Sequence, residues 1–129
     1  MAIELLNPPG LHPAPGFSHI AIDREKGYAF IAGQVALDPQ FGIVGGDDLK
    51  AQTRAAMQNI GVCLAALGAG WDQVVRRTVY TLDPTQFGPI TEAIEAVQGS
   101  DRHPAQTILG VTGLAVPGLL IEIETTVSL

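Results

Sequence analysis

The last quarter of the chain, His103 to Leu129, reads HPAQTILGVTGLAVPGLLIEIETTVSL, two apolar runs joined by a turn containing glycine and proline. In the second run, side chains alternate with a period of two if the backbone is extended. Leu120, Glu122, Glu124 and Thr126 then share one face, and Ile121, Ile123, Thr125 and Val127 the other. The second face suits a core. The first carries two carboxylates, and an ionised carboxylate is costly to bury without partners, so that face either meets water or lines a site.

The elements before this run alternate between the two periodicities. Phe87, Ile90, Ile94 and Val97 form the stripe of a helix over Phe87 to Val97 closed by Gly99, and Ser100 to Pro104 links it to the final strands. Val74 to Leu82 is rich in β-branched residues and reads as a strand stopped by Asp83-Pro84. On it Arg76, Thr78 and Tyr80 share a face while Arg77 points to the other, and Trp71, just ahead, reads as a packing anchor. Leu49, Thr53, Ala56, Met57, Ile60, Cys63, Leu64 and Leu67 recur at intervals of three and four, which predicts an amphipathic helix lying on a sheet. Asp47 or Asp48 can cap its start and Gly68 its end. Cys63 falls on the buried stripe, as a small core hydrophobe rather than a reactive thiol.

Further upstream, Phe17 to Ile22 and Tyr28 to Gln34 flank the polar segment Asp23-Arg24-Glu25-Lys26-Gly27 and predict a hairpin. Val35 to Gly46 contains Asp-Pro, Phe-Gly and Gly-Gly and reads as a surface loop. The proline-rich residues 1–16 read as an extended lead-in, with Met1 to Leu6 available as a short edge strand. The order is ββαβαββ, an α+β domain over residues 1–129 with a mixed sheet and both helices on one face. The pattern by itself leaves a ferredoxin-like sandwich open.

Composition narrows the function classes. With seven basic residues, a net charge of -6 and no basic cluster beyond Arg76-Arg77, the chain lacks the electrostatic footprint of a nucleic-acid binder. One cysteine excludes an internal disulfide, and with three scattered histidines it makes no zinc spacing, so no metal is expected. MAIELLNPPG lacks the basic start and apolar core of a signal peptide, and no run approaches the ~20 apolar residues of a membrane span, so a cytoplasmic location is expected. The 47% hydrophobic content against 16% charged residues suggests apolar surface buried between subunits.

Phe17-Ser18-His19, Ala32-Gly33-Gln34, the helix containing Gln52 through Asn59-Ile60, Thr78-Val79-Tyr80, His103-Pro104-Ala105-Gln106 and Ile121-Glu122-Ile123-Glu124 occur in the order and spacing of one family. Over essentially its whole length the chain resembles the Rid family, the reactive-intermediate deaminases also called YjgF-type or L-PSP proteins. The resemblance implies a chorismate-mutase-like fold assembled as a homotrimer around a barrel-like core, with small-molecule clefts between subunits and no cofactor. Typical members hydrolyse 2-imino acids or their enamine tautomers to 2-oxo acids and ammonia. An arginine holds the substrate carboxylate, and a glutamate on the last strand positions water or shuttles a proton.

By this resemblance Glu122 is the catalytic residue, and Gln106, Phe17, Ala32, Gly33, Thr91 and His19 are substrate-binding. Gln106 stands where the family has arginine, and it supplies neither charge nor a bidentate fork. Phe17 stands for a tyrosine, Ala32 for a serine and Thr91 for an asparagine. A charge-assisted hydrogen bond to a buried ligand contributes about 1.5–3 kcal/mol, so these changes speak against efficient hydrolysis of free 2-imino acids. They favour a neutral or cationic ligand in a more apolar, more negative cleft.

Read from residue type alone, Glu122 is a structural acceptor in a partly wet interface; the resemblance makes it a site residue. Glu124 is expected at the rim. His19 reads as a hydrogen-bonded sheet residue or a cleft residue. His12 and His103, in proline-rich turns, are expected to be solvated. Arg76 and Arg77 read as surface or interface pairs, or as a replacement anion contact. Two glutamates on one strand do not flank a sugar as glycosidase carboxylates do. Two readings of function remain: C–N hydrolysis of an imine or enamine with Glu122 as acid/base, or a non-catalytic ligand-binding or interaction module on the same trimer. Endoribonuclease activity, attached to the L-PSP name, is opposed by the acidic balance and the absent arginine.

Overall fold

The computed structural model describes residues 2–129, and Met1, the first residue of the expected edge strand, lies outside them. In chain order the elements are β1 (Glu4–Leu6), β2 (Ile20–Asp23), β3 (Tyr28–Val35), α1 (Leu49–Leu67), a short 3-10 turn (Trp71–Gln73), β4 (Val74–Thr81), α2 (Phe87–Gln98), β5 (Ala105–Gly110) and β6 (Ile121–Ser128). The strands form one six-stranded mixed sheet in the order β1-β2-β3-β6-β4-β5. β4 and β5 are parallel, as a crossover through α2 requires, and the other pairs are antiparallel.

Both helices cover one face. The Ile20, Ile22, Ala29, Ile31, Val79, Ile121, Ile123 and Val127 side chains meet Ala56, Met57, Ile60, Cys63 and Leu64 of α1 and Ile90 and Ile94 of α2. The Asp48 side chain accepts from the Lys50 and Ala51 amides at the start of α1, and Gly68, at φ 67°, closes its end. Cys63 is buried, and burial pushes its thiol up to about 12, as befits a core residue. Trp71 packs against the same core.

The two terminal runs are not neighbours in the sheet, because β4 lies between β5 and β6 and residues 111–120 cross over it. Two local expectations are corrected. The strand expected from Phe17 begins only at Ile20, since the His19 amide donates to the Asn7 side chain and the Phe17 amide turns back to Ala14. The loop after β3 is partly ordered by pairing of Leu37 with Ile43.

β3 carries one residue too many. Ile31 pairs with Thr125 of β6 but Gln34 pairs with Ile123, so three steps on β3 face two on β6 and a bulge forms at Ala32-Gly33. After the bulge Gln34 faces the helices and Val35 faces the same way as Glu122. The sheet face away from the helices remains uncovered, with Leu5, Phe30 and Leu109 exposed on it.

Candidate functional site

On β6 the alternation holds as expected: Ile121, Ile123, Thr125 and Val127 are buried, while Glu122 is half-buried and Glu124 exposed on the other face. Glu124 accepts a hydrogen bond of 2.6 Å from the Tyr80 hydroxyl. Glu122 instead points into a cavity of about 560 Å³. Its walls come from the lead-in (His12, Pro15, Phe17), from the bulge and the chain just beyond it (Ala32, Gly33, Val35, Leu37, Phe41), from the 111–120 segment (Ala115, Val116, Leu119) and from Glu122 itself. The lining is almost wholly apolar around one carboxylate. Burial raises the Glu122 carboxyl above the ordinary range, and the charge of Glu124 adds to the rise.

The bulge is what makes room for that carboxylate. A Cβ on Gly33 would lie 2.1 Å from Glu122 Oε2 and 2.6 Å from its Cδ, so any side chain there would displace the glutamate. Behind the lining stands a buried polar brace. His19 is 1% exposed, its Nε2 donates to the His12 carbonyl at 2.8 Å, and its Nδ1 accepts from Gln34 Nε2 at 3.1 Å. Desolvation lowers the His19 value, which keeps the ring neutral. His19 therefore holds the lead-in against β3 and supports Phe17 at a ring distance of 5.3 Å, without lining the cavity. His12, expected in solvent, is only 6% exposed and lines the cavity, because its ring packs edge-on against His19 and tilted against Phe41.

Two flanking loops are tied down by Gln52, which is fully buried on α1. Its Nε2 donates to the Gly46 and Gly118 carbonyls, and its Oε1 accepts from the Leu120 amide. Asn59 similarly donates to the Val35 and Leu37 carbonyls. Both cavity walls thus hang from one face of one helix.

Of the expected site residues, one chain brings together Glu122, Phe17, Ala32 and Gly33. Thr91 lies half-buried on α2, away from the cavity. Gln106 pairs with Arg77 across β4 and β5, and Arg77 pairs with Thr125 on the helix-facing side of β6, whereas Glu122 faces the other way. Within one chain Gln106 and Glu122 therefore lie on opposite faces of the sheet.

Arg77 is the residue most misjudged from sequence. It is no surface pair: it is 2% exposed, and its guanidinium reaches Gln106 Oε1 at 2.5 Å, His103 Nδ1 at 2.7 Å and Gln98 Oε1 at 3.3 Å. Burial pulls its value down to about 10, which still leaves it cationic at neutral pH. His103, expected to be solvated, is indeed exposed, and it bridges Arg77 to Glu95 Oε2 at 2.6 Å. The available signal was the alternation on β4, which turns Arg77 toward the helices.

Comparison with known proteins agrees with the fold. The sequence profile described as endoribonuclease L-PSP matches residues 9–129. A RutC family protein of Synechocystis is 31% identical over 113 residues, 87% of this chain and 86% of the relative. The mouse protein named 2-iminobutanoate/2-iminopropanoate deaminase is 34% identical over 106 residues, 81% of this chain and 74% of the relative. The crystal structure of YyfB from Yersinia pestis, of the Rid protein family, superposes with a TM-score of 0.73 at 36% identity and covers 100% of both chains. The chain belongs to the endoribonuclease L-PSP family, in which its relatives include Rid proteins and deaminases.

Among the described residues no helix is long and apolar enough to cross a membrane, and no group of histidine, cysteine and carboxylate side chains is arranged to hold a metal.

Proposed function

We propose that the protein acts as a homotrimer whose clefts between neighbouring copies take a small molecule bearing a C=N or enamine group and hydrolyse it. The observation that carries this reading is Glu122, its carboxyl raised by burial, set beside Gly33 in an apolar cavity. A carboxyl in such surroundings holds its proton to higher pH than an ordinary carboxylate, which suits it to accept and return the protons that hydrolysis of an imine moves. Glu122 takes a proton from water as the oxygen bonds to the imine carbon and passes it to the nitrogen, giving a carbinolamine. It then takes the carbinolamine hydroxyl proton and delivers it to the nitrogen as the C–N bond breaks, releasing ammonia and leaving a carbonyl. No cofactor is required.

The sheet supports the assembly. Because Gln106 and Glu122 face opposite ways in one chain, they share a cleft only if the β5 edge of one copy meets the cavity of another. The uncovered Leu5, Phe30 and Leu109 provide apolar surface for such contact. In this cleft Gln106 stands in place of the arginine typical of the family. The expected substrate is therefore one without a free carboxylate at that point, and Thr91 is left a minor role.

The test is ammonia release from freshly generated imines, carboxylated and uncharged. Wild type should act on uncharged substrates, Glu122→Ala should be inert, and Gly33→Ala should lose about tenfold or more by displacing Glu122 while remaining folded. If wild type and Glu122→Ala are equally inert on every substrate, the protein is instead a binding module. A cleft ligand that raises the melting temperature without turnover would then define it.

A further inference from the structure

Gln106 is not free to turn. A guanidinium has donors and no acceptor, so the group that Gln106 directs at Arg77 Nε has to be its oxygen. The same rule fixes the neighbours. His103 must accept at Nδ1 and so carries its proton on Nε2, which donates to Glu95, while Gln98 accepts from Arg77 and donates to the Ser100 and Arg102 carbonyls. Arg77 therefore sits buried among three neutral acceptors, with its counter-charge on Glu95 relayed through His103. The cluster is closed on itself, and the positive charge is spent inside the chain.

What remains outward is the Gln106 amide nitrogen, exposed and without a hydrogen-bond partner among the described residues. We infer that Arg77 is a positioning residue that locks Gln106 as a one-way hydrogen-bond donor, so that the ligand group at this point is a neutral acceptor such as an amide, ester or ketone oxygen. The inference rests on the reading that Gln106 faces the ligand of a neighbouring copy. A carboxylate can accept the same bond, but it must also shed its water, and neither an unspent cation nor a fork of donors is there to compensate. Glu122 in the same cleft opposes it further. A donor-only ligand group such as an ammonium offered to this point meets N–H instead of the carbonyl that an unanchored glutamine would swing round to provide.

The test compares two stable probes of one carbon skeleton, 2-oxobutanamide and 2-oxobutanoate, by titration while the ¹⁵N side-chain amide signals of Gln106 are followed. Wild type should bind the amide about tenfold more tightly than the carboxylate, with the Gln106 signals moving. Gln106→Glu keeps the acceptor for Arg77 and removes the outward donor, so it should weaken the amide about tenfold. Arg77→Met should collapse the preference to within about threefold. Arg77→Lys, which can still donate to Gln106, should restore part of it, separating orientation from a general loss of structure. Stronger binding of the carboxylate by wild type, or neither probe moving the Gln106 signals, overturns the inference. Absence of ammonia release from imines, with those signals responding as expected, counts against the hydrolytic reading and leaves the donor site standing.

Discussion

Glu122 and Arg77 are both charged strand residues removed from bulk water, and the chain treats them in opposite ways. Arg77 meets an acceptor at each of its three nitrogens, whereas Glu122 is left beside a glycine in an apolar hollow with its carboxyl raised. A carboxyl raised by folding holds its proton to higher pH in the folded chain than in the unfolded one. Stability is therefore lost as pH climbs from the ordinary carboxylate value through the raised one. Glu122→Gln has no such proton to lose. Its melting temperature should match wild type near about pH 4 and exceed it near about pH 8. A wild type at least as stable as the variant at the higher pH would mean that Glu122 is not strained by burial. Alternation on the last strand marks Glu122 as a carboxylate that meets water or lines a site, whereas Gly33 and Ala32 can be picked out only through the likeness of short motifs. Alternation on β4 turns Arg77 toward the helices, but a paired Arg-Arg resembles surface charge, and the three-dimensional meeting of α2, the 100–104 linker and β5 is what buries it.

The helices and most strands are readable because hydrophobic period and capping agree on them. Leu49–Leu67 begins at a capping aspartate and ends at a glycine in the left-handed region, and both bounds come from local chemistry. The order of strands is not readable, since alternation says which face a residue takes and nothing about which strand lies beside it. The insertion of β4 between β5 and β6 is a long-range choice. Gln52 shows the cost of such choices to the site: one buried amide on α1 satisfies backbone groups from two loops that share no sequence proximity. Gln52→Leu should cost about 2–4 kcal/mol in chemical denaturation, because it leaves two carbonyls and an amide without their partner. Hydrogen exchange should accelerate in residues 111–120. A loss under about 1 kcal/mol would mean that water replaces the side chain without penalty.

At the scale of the whole molecule, a sheet with helices on only one side leaves its other face open, with large apolar side chains standing among polar ones. Leu5 at 63% exposure and Phe30 at 51% stand on that face, more open than a covered core surface would be. The proposed trimer accounts for them and for the division of Glu122 and Gln106 between opposite faces. Phe30→Glu should convert a trimer into monomers in sedimentation experiments at micromolar concentration and abolish turnover with it, since it replaces an exposed apolar ring with a strongly hydrated charge at the contact. A wild type that sediments as a monomer under the same conditions would remove the basis for a shared cleft.

The bulge at Ala32-Gly33 gives the pocket a numerical origin. With strict alternation from Ile31, Gly33 would turn toward the helices, where it has nothing to fill the core, and Gln34 would leave its contact with His19 for the open face. One added residue resets the parity of everything after it, so Val35 joins Glu122 and the strand runs on into the loop that carries Leu37 and Phe41. The pocket is thus written partly as a count, one residue more on β3 than on the strand beside it. Substitutions around it can be graded by size and charge, but a single deletion would change the meaning of every later position on the strand.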